Sequence, residues 1–332
     1  MKFTLLITSS GSVTAQGVIK GLKQQQEFEY RVIMADMNEK NAGRYFGDQF
    51  YKVPSAKEAN YIDILLDICK KEQVNVLVPI YDPELLKVAE NKQRFKDIGC
   101  TAIISSPETI RTCNDKYQTY QFFKKIGIDT PETHPAEDIL SGKVTITYPA
   151  FGKPARGMAA IGTITLQNEE ELKKWAPTVE EPLVQELTKG TEFSVDTLAD
   201  LNGQVIEVVP RTRDETRHGA STKGITTKDQ EIITKAKYIA EQLHIQGPCN
   251  IQCFRTKDNI LKFFEINPRF SATHAHSIAS GMNSPYLLLK MLAGQQVSPQ
   301  IGSFQDGLQM YRYWSEVFVD KEGKRVPQQY TL

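Results

Sequence analysis

The chain has 332 residues, and its 40 Lys and Arg residues balance 40 Asp and Glu residues, so the formal net charge at pH 7 is zero. Because no basic arm or segment stands out, this composition excludes nucleic-acid binding driven by charge. No apolar run approaches the ~18 residues of a membrane span, and the stretch at residues 3–7 is too short for a signal peptide, so we expect a cytoplasmic protein with no membrane partner.

Residues 1–112 alternate between short apolar runs and segments with apolar residues at helical spacing. The runs at 2–8, 31–36, 74–79 and 101–105 predict strands, and the segments from 13 to about 23, 61–72 and 83–95 predict helices. This alternation predicts an open parallel sheet with helices on its faces. We therefore assign 1–112 to a front α/β domain, in a chain long enough for two or three lobes.

Gly11 and Gly17, followed by Asp36, invite comparison with a dinucleotide-binding site, in which an acidic residue binds the ribose. That motif needs three glycines in the pattern G-x-G-x-x-G, whereas here two glycines are separated by five residues. A nicotinamide-dependent oxidoreductase is therefore disfavoured. The small residues at 9–12 instead predict a strand-end crevice whose backbone N–H groups help to hold a small substrate.

Ser106 followed by Pro107 is the signature of a helix start, with Ser as the cap and Pro at the first helical position. We expect Asn114 to cap the next helix, which ends at Gly127. Lys116 falls in the first turn of that helix, where the helix dipole disfavours a cation. Lysines in such positions are usually solvated, but the mismatch is a weak indication of an anionic ligand.

Lys153 precedes Pro154, so it ends a strand in extended geometry and points its amine into the bordering cleft. The next eight residues, 155–162, are mostly small and end in glycine. They fit either a flexible hairpin tip or a mobile flap whose backbone amides close over phosphates, with Lys153 neutralising the phosphates from beneath.

The clearest chemistry lies at 249–269, where two apolar runs joined by a turn predict a β-hairpin. The hairpin brings Gln252 beside Glu265 and Asn267, and their oxygens form a ligand set that Mg²⁺ accepts when nucleotide phosphates complete its shell. Arg269, just beyond, is suited to hold a second anion in a bidentate manner. Taken alone, the hairpin fits a solvated strand face about as well as a metal site.

Strand alternation predicts that Glu265, Asn267 and Arg269 share one face while Phe264 and Ile266 share the other. The aromatic residues before Glu265 favour a buried strand end, where a carboxylate needs a partner.

The five cysteines are an odd number that fits free thiols in a reducing compartment better than a disulfide framework. Cys249 and Cys253 fall on the strand face opposite Gln252, where we expect core packing and not the binding of a soft metal.

Taken in chain order, these residues resemble the ATP-grasp superfamily of carboxylate-activating ligases, and within it the synthetase modules of the carbamoyl phosphate synthase large subunit. The resemblance implies a mixed α/β and α+β fold. A front domain of the type that precedes the grasp fold occupies 1–112, a two-lobed grasp module occupies 113–298 with its lid lobe at about 140–190, and a tail at 299–332 packs on the grasp domain. The motifs that carry the resemblance are Asn114-Asp115-Lys116, Phe151-Gly152-Lys153-Pro154, Val184-Gln185-Glu186-Leu187 with Gly190 and Glu192, Gln252, and Glu265-Ile266-Asn267-Pro268-Arg269.

The resemblance implies a role for each motif. The residues that look like ATP contacts are Lys116 and Lys153 at the phosphates, Gln185, Glu186 and Leu187 at the adenine edge, and Glu192 at the ribose. The residues that look like ligands of Mg²⁺, with Mn²⁺ as an alternative, are Gln252, Glu265 and Asn267. Arg269 resembles the arginine that orients the substrate carboxylate and the forming acyl phosphate.

Two further segments receive looser expectations. The polar connection 211–227 holds Arg217, His218 and Lys223, in the region where family members place further substrate or phosphate contacts. The tail at 308–318 predicts a final strand, whose aromatic residues we expect to pack against the protein.

The resemblance implies an ADP-forming ligase that activates a small carboxylate as an acyl phosphate for attack by an amine or another nucleophile. Carbamoyl phosphate synthesis itself is not expected, because the enzyme that performs it carries two modules in a much longer chain. The alternatives are a nucleotide-binding regulatory protein without turnover and, less favoured, the nicotinamide enzyme. The identities of acid and acceptor cannot be read from the sequence, and a homo-oligomer stays open.

Overall fold

The computed structural model describes residues 2–157, 160–217 and 219–327. Its N-terminal part is a parallel sheet of five strands in the order β3-β2-β1-β4-β5, which confirms the predicted open parallel sheet. The strands are β1 (Lys2–Ile7), β2 (Glu29–Asp36), β3 (Gln49–Lys52), β4 (Val76–Val78) and β5 (Thr101–Ala102). The sequence pattern did not predict β3, because this edge strand has no buried residue and no apolar run.

The helices of this part are α1 (Val13–Gln24), α2 (Tyr61–Glu72), α3 (Asp82–Glu90) and α4 (Lys92–Asp97). The single helix predicted at 83–95 is wrong, since it breaks at Asn91 into α3 and α4. The Asn91 side chain donates to the carbonyl oxygen of Lys87 at 2.9 Å. Such a side-chain bond competes with the helical backbone and favours termination.

Two helices follow, α5 (Pro107–Asn114) and α6 (Lys116–Lys125). The predicted start of α5 is confirmed, since Ser106 Oγ accepts from the N–H of Thr109 at 3.1 Å. The expectation that Asn114 caps α6 is wrong, because Asn114 is the last residue of α5 and Asp115 is the cap. The Asp115 carboxylate accepts from two N–H groups of the first turn, at 3.0 and 3.1 Å. A carboxylate also complements the positive end of the helix dipole.

A small antiparallel sheet in the order β6-β9-β7-β8 follows. Its elements are β6 (Thr133–Pro135), α7 (Ala136–Leu140), β7 (Ala150–Pro154), β8 (Ile164–Leu166), α8 (Glu169–Trp175) and β9 (Pro182–Glu186). Its core is a separate apolar cluster that includes Leu166, Leu172 and Val184. The sheet therefore packs around its own core.

The rest of the chain is built on a central antiparallel sheet in the order β11-β10-β14-β15. The elements are β10 (Gly190–Ala199), β11 (Val205–Thr212), β12 (Glu215–Arg217), β13 (Ala220–Ile225), α9 (Gln230–Gln242), β14 (Gly247–Thr256), β15 (Leu261–Asn267), α10 (His274–Ala279), α11 (Ser284–Leu292), β16 (Gln309–Tyr311), β17 (Phe318–Val319) and β18 (Arg325–Val326). None of the helices in the described ranges is long and apolar enough to cross a bilayer.

The two larger sheets are joined through a shared apolar cluster. Leu5 and Ile7 of β1 pack in the same cluster as Leu198 of β10 and Leu288 of α11. Leu6, which points to the other face of the parallel sheet, packs in a cluster with residues of α2 and α3. One face of the front sheet therefore rests on the part of the chain that carries the predicted metal ligands.

Two predictions for the last hundred or so residues need correction. The connection 211–227 is not a loop, because it contains the end of β11 and the hairpin of β12 and β13. The tail is not one strand over 308–318: only β16 pairs with β13, and β17 pairs with β18. The aromatic residues expected to pack are exposed, since Tyr311, Tyr313 and Trp314 keep 68 to 71% of their surface accessible.

Candidate active site

Polar side chains lie in two rows across one face of the central sheet. The first, called the Glu265 row, consists of Arg211, Ser194, Gln252 and Glu265, which are neighbours in register on β11, β10, β14 and β15. The second, called the Asn267 row, consists of Asp196, Asn250 and Asn267 on β10, β14 and β15. Because neighbouring strands lie about 4.8 Å apart, residues distant in sequence face one cleft.

The opposite face of the sheet is apolar and packs in the core. Cys249 and Cys253 are 2% and 0% exposed and lie in that core, which confirms the expectation of packing. All five cysteines are buried free thiols.

A β-bulge in β15 decides which residues face the cleft. Gln252 pairs with Glu265, but the next residue along β14, Cys253, pairs with Phe263, so Phe264 is an extra residue. The bulge lets Phe263 and Ile266, at 0% and 2% exposure, both enter the core although they are three residues apart. Simple alternation, which paired Phe264 with Ile266, is therefore wrong.

Phe264 lies on the cleft side of this hairpin and not in the core. It stacks on Phe254 of β14 with ring centroids 4.7 Å apart. The two half-buried rings border the polar rows and give the cleft an apolar wall.

The predicted metal ligands are brought together by this register. The Glu265 carboxylate accepts no hydrogen bond and forms no ion pair within the described ranges, although it is only partly exposed. Gln252 is 8% exposed and donates through its Nε2 to Asn250 Oδ1 at 3.3 Å, which leaves its amide oxygen free. One unpaired carboxylate beside amide oxygens is a donor set that a hard divalent cation fits.

The described part of the chain contains no group of three or more His, Cys, Asp or Glu residues that could hold a metal ion. The Glu265 and Gln252 pair does not contradict this, since it offers only one carboxylate. A cation held there needs further oxygen ligands, as nucleotide phosphates supply.

Arg269 is held by Asp82, at the start of α3 in the front part of the chain. The Arg269 Nε and Nη2 atoms donate to the two carboxylate oxygens at 2.8 Å each. Nη2 also donates to Asn267 Oδ1 at 3.1 Å, and Nη1 donates to the carbonyl oxygen of Phe270. The guanidinium face expected to orient a substrate carboxylate is thus engaged by Asp82, and Arg269 fixes the orientation of Asn267.

Lys153 lies at the end of β7 with 4% of its surface exposed. Its amine donates no hydrogen bond to any residue in the described ranges. Burial, together with the nearby charge of Lys116, lowers the pKa of the Lys153 amine to about 7, and Glu265 opposes this only in part. These three side chains, expected at the phosphates and the metal, therefore lie close enough to influence one another.

The segment that enters the predicted flap is tied down at its base. Lys116 donates through its backbone N–H to Ala155 O at 2.9 Å and through Nζ to Gly157 O at 2.8 Å. Arg156 forms ion pairs with Asp115 at 3.1 Å and with Glu181 at 2.8 Å. Met158 and Ala159, the middle of the predicted flap 155–162, lie outside the described residues.

The residues expected at adenine surround a short linker, 187–189, between β9 and β10. Gln185 is 7% exposed and donates to the Thr133 hydroxyl at 2.8 Å, while Glu186 pairs with Lys262 at 2.5 Å. Leu187 is half-buried within the linker. The linker makes no backbone hydrogen bond to another described residue, so its N–H and C=O groups are free to bind a ligand edge.

Glu192, expected at the ribose, is paired with Arg213 at 2.7 Å. Burial raises the pKa of the Glu192 carboxyl, with a further contribution from Glu265, while Arg213 opposes the rise. The carboxylate therefore stands on the same side of the sheet as the two polar rows.

Further substrate or phosphate contacts were expected from Arg217, His218 and Lys223 in the connection 211–227. Arg217 and Lys223 lie on the β12–β13 hairpin, where both are exposed and Lys223 pairs with Glu215 at 2.6 Å. The structure does not bring them to the two polar rows by any contact. His218 lies outside the described residues.

In the crevice predicted at 9–12, the backbone N–H groups of Ser10, Gly11 and Ser12 already donate hydrogen bonds within the protein. The N–H of Ser10 bonds to Ala35 O, that of Gly11 to Asp36 Oδ2 at 2.8 Å, and that of Ser12 to Ser9 O. The expectation that these amides hold a substrate is therefore wrong, because a substrate would have to displace bonds within the protein.

Sequence reasoning missed five polar residues of the site, namely Asp82, Asp196, Arg211, Arg213 and Asn250. The sequence carried a signal for Asp196, because Ser194 and Asp196 alternate with apolar residues along β10, as a strand with one polar face requires. Asp82 and Arg211 gave no local signal, since their partners are distant in sequence.

Comparison with known proteins agrees with this geometry. The family model described as "ATP-grasp in the biosynthetic pathway with Ter operon" matches residues 178–314, and that described as "PylC-like, N-terminal domain" matches residues 5–103. Residues 178–314 therefore match an ATP-grasp domain and residues 5–103 match a PylC-like N-terminal domain, in agreement with the resemblance to the ATP-grasp superfamily. Within the superfamily the chain is similar to a single synthetase module of the carbamoyl phosphate synthase large chain.

Three curated relatives show the range of similar proteins. The carbamoyl-phosphate synthase of Methanobrevibacter smithii is 24% identical over 86% of this chain and 79% of that protein. The 3-methyl-D-ornithine–L-lysine ligase of Methanosarcina acetivorans is 24% identical over 79% of this chain and 67% of that protein. The carbamoyl phosphate synthase large chain of Deinococcus radiodurans is 24% identical, and the match spans only 28% of its length.

The first of these relatives bears on carbamoyl phosphate synthesis. Chain length was taken to oppose carbamoyl phosphate synthesis, but a protein of which this match covers 79% carries that name. Length therefore does not separate this chain from such a synthase.

Solved structures share the fold. The biotin carboxylase domain of Hydrogenobacter thermophilus 2-oxoglutarate carboxylase, solved as a dimer with MgADP, ADP and bicarbonate, matches with a TM-score of 0.75 and 15% identity over 99% of this chain and 84% of that chain. The N5-carboxyaminoimidazole synthetase of Staphylococcus aureus, solved with ADP, matches with a TM-score of 0.73 and 18% identity over 91% of this chain and 80% of that chain.

Proposed function

We propose that this protein is an ATP- and Mg²⁺-dependent ligase. It activates a small carboxylate as an acyl phosphate, which an amine or another nucleophile then attacks, with release of ADP and phosphate. The division into a front domain at 1–112, a grasp module at 113–298 and a tail belongs to this proposal. So do the roles in binding ATP and Mg²⁺, which belong to Lys116, Lys153, residues 185–187, Glu192, Gln252, Glu265 and Asn267.

The observation that carries the proposal is the Lys153 amine. Lys153 is 4% exposed as a residue, and its amine has no hydrogen-bond acceptor in the described chain, so an anion beside the amine is favourable. The half-buried Lys116, whose Nζ donates to Gly157 O, adds a second positive charge that lowers the Lys153 pKa. A polyphosphate satisfies both lysines together, whereas a purely structural role leaves a buried amine without a partner.

The roles of the other site residues follow from their positions in the fold. The free backbone of 187–189 accepts the adenine edge, and Glu192 accepts the ribose hydroxyls after exchange from Arg213. Gln252, Glu265 and Asn267 would hold Mg²⁺ together with the phosphates. When bound, Mg²⁺ supplies charge neutralisation of the triphosphate.

The chemistry needs such neutralisation because a carboxylate approaching the γ-phosphate brings two anions together. At 4 Å, two unit charges repel by about 4 kcal/mol at an effective dielectric of 20. Lys153 lies beneath the phosphates and offsets part of this repulsion. Arg269, through Asn267, keeps the oxygen ligands in one orientation, which favours in-line transfer.

The acyl phosphate is prone to hydrolysis, so exclusion of water matters. The described start of the segment 155–162 is anchored by Lys116 and Arg156, which supports the flap role proposed for it. The relative named 3-methyl-D-ornithine–L-lysine ligase, whose name joins an amino acid to lysine, supports an amine as the acceptor.

The test is Mg²⁺-dependent release of ADP with a panel of small carboxylic acids, bicarbonate included, each with and without amino-acid acceptors. Hydroxylamine should trap the acyl phosphate as a hydroxamate for the acid that stimulates release. The Lys153→Met variant should lose this release, whereas Lys237→Met, in a surface pair with Glu241 on α9, should keep it.

Three results would contradict the proposal in different ways. Formation of AMP opposes an acyl phosphate. Tight ATP binding with no stimulation by any acid favours the nucleotide-binding regulatory protein. Binding of a nicotinamide dinucleotide in preference to ATP favours the oxidoreductase.

A further inference from the structure

Arg211 ends the Glu265 row and is the largest of the fully buried side chains, with 1% of its surface exposed. Its Nε and Nη2 atoms donate to the two oxygens of Asp196, both at a long 3.3 Å, and Nη2 donates to Ser271 Oγ at 3.0 Å. Its Nη1 atom is buried and has no partner in the described structure. One edge of this buried guanidinium group therefore has no hydrogen-bond acceptor among the described residues.

Two histidines of α10 beside Arg211 are also incompletely bonded. His274 and His276 are each 2% exposed, and His274 Nε2 and His276 Nδ1 have no partner among the described residues. His276 uses its Nε2 on Leu308 O at 2.9 Å. Three of the nine buried polar atoms that lack partners in the described chain thus belong to this one neighbourhood, and such groups call for an explanation.

A second guanidinium reaches this neighbourhood from the tail. Arg312 follows β16, and its N–H bonds to Thr222 O at 2.9 Å, which fixes the tail against β13. Its Nη2 donates to Ala272 O at 2.8 Å, next to the Ser271 that bonds Arg211. Its half-buried side chain therefore lies over the segment that covers Arg211.

The charges of this cluster do not balance. Arg211 and Arg312 are both cationic, and the one carboxylate that bonds either of them is that of Asp196. The Asp196 carboxylate also accepts hydrogen bonds from Asn250 Nδ2 at 2.8 Å and from the Ser277 hydroxyl at 2.6 Å. Within the described residues the two guanidinium groups thus share one carboxylate, and guanidinium groups favour carboxylates through paired N–H donors.

We propose that Arg211 and Arg312 form a subsite for a carboxylate of a substrate, separate from the group that is phosphorylated. The inference rests on the proposed function. It implies that one substrate is a small molecule with a carboxylate besides its reacting group, either an amino acid that serves as the acceptor or a dicarboxylic acid. Arg211 is two strand spacings from Gln252, about 10 Å, so the Glu265 row leads from this anchor to the reaction centre.

The experiment measures binding first and turnover second. Thermal unfolding is followed with the twenty L-amino acids and with succinate and glutarate. Each ligand that raises the midpoint is compared with its carboxamide, which keeps the size and removes the charge. Variants are Arg312→Gln, Arg312→Lys and, as a matched control at an exposed tail position, Arg325→Gln.

A carboxylate compound should raise the midpoint of the natural protein, and its carboxamide should not. The rise should disappear in Arg312→Gln, persist in part in Arg312→Lys and be unchanged in Arg325→Gln. In turnover, the KM for that compound should increase about 10-fold or more in Arg312→Gln, the loss expected for about 1.4 kcal/mol or more of binding, with no matching increase in the KM for ATP. Amino acids and dicarboxylic acids form separate arms that identify the source of the carboxylate.

Several outcomes would overturn the subsite: equal binding of acid and amide, undiminished binding in Arg312→Gln, or no binding by any member of the panel. The last outcome would mean that no carboxylate binds to the Nη1 donor of Arg211. Selective binding that depends on Arg312, without any ADP release, would instead leave the subsite standing and contradict the proposed ligase.

Discussion

Arg269 and Asp82, 187 positions apart, form a bidentate ion pair with both donor–acceptor distances at 2.8 Å. The pair links the start of α3 in the front part of the chain to the residue that follows β15. Since Arg269 also bonds Asn267 at 3.1 Å, the front part orients one of the proposed metal ligands. The PylC-like part thus contributes directly to the geometry of the site.

Replacement of Asp82 by Asn should loosen this arrangement. The variant keeps one acceptor but removes the charge, so the free energy of unfolding should fall by about 1.5–3 kcal/mol. The Mg²⁺ concentration for half-maximal ADP release should rise several-fold because Asn267 loses its fixed orientation. Urea unfolding and a Mg²⁺ titration measure the two effects. Asp63→Asn, which breaks an exposed pair with Arg94, is the control and should change neither.

Lys153 should take up a proton when ATP binds. Its amine has a pKa of about 7 in the free protein, so it is mostly neutral at pH 8, and contact with a polyphosphate favours the charged form. Calorimetry in buffers of different ionisation enthalpy should show an uptake approaching one proton at pH 8 to 9 and little at pH 6. The Lys153→Arg variant, charged throughout, should show no such uptake. An equal uptake in both proteins would mean that another group titrates.

Glu265→Gln should weaken the proposed cation site. The change keeps the shape of the side chain and removes the single free carboxylate, so the Mg²⁺ requirement should rise about 10-fold or more. Equilibrium binding of Mn²⁺, followed by its paramagnetic resonance in the presence of ADP, checks this without turnover. Glu241→Gln on α9 is the matched control. Unchanged Mn²⁺ binding in Glu265→Gln would remove Glu265 from the ligand set.

Glu207 should make the protein less stable as pH rises. Burial raises the pKa of this carboxyl to about 8 from its ordinary 4.5, and one of its oxygens accepts from the Ser284 hydroxyl. Between these values the folded state holds a proton that the unfolded state releases, so stability falls with increasing pH by up to about 1.4 kcal/mol per unit. Above pH 8 this contribution is constant.

Glu207→Gln keeps the size of the side chain, accepts the same hydrogen bond and cannot ionise. Denaturant unfolding between pH 5 and 9 should therefore show that the free energy of unfolding of the variant increases relative to that of the natural protein as pH rises. Parallel pH profiles for the two proteins would mean that Glu207 is not protonated in the folded state.

The sequence by itself determined the elements whose signals are local. Alternating apolar runs and helical segments predicted the parallel sheet, because periodicity reports which residues two to four apart share a face. The Ser106 cap and the hairpin that pairs Gln252 with Glu265 were likewise readable, since each depends on residues close in the chain. The predicted hairpin therefore identified the candidate metal ligands from residues that are close in the chain.

Only the tertiary structure decided the rest. The bulge moved Phe264 to the cleft side because the core accepted both Phe263 and Ile266, while Glu265 and Asn267 kept the expected face. The partner of Arg269 came from 187 residues away, and the burial of Arg211 depended on α10 and the tail. Such pairings follow from how separate elements pack, which no local pattern records, because the free energy of burying a charge is set by all of its neighbours together.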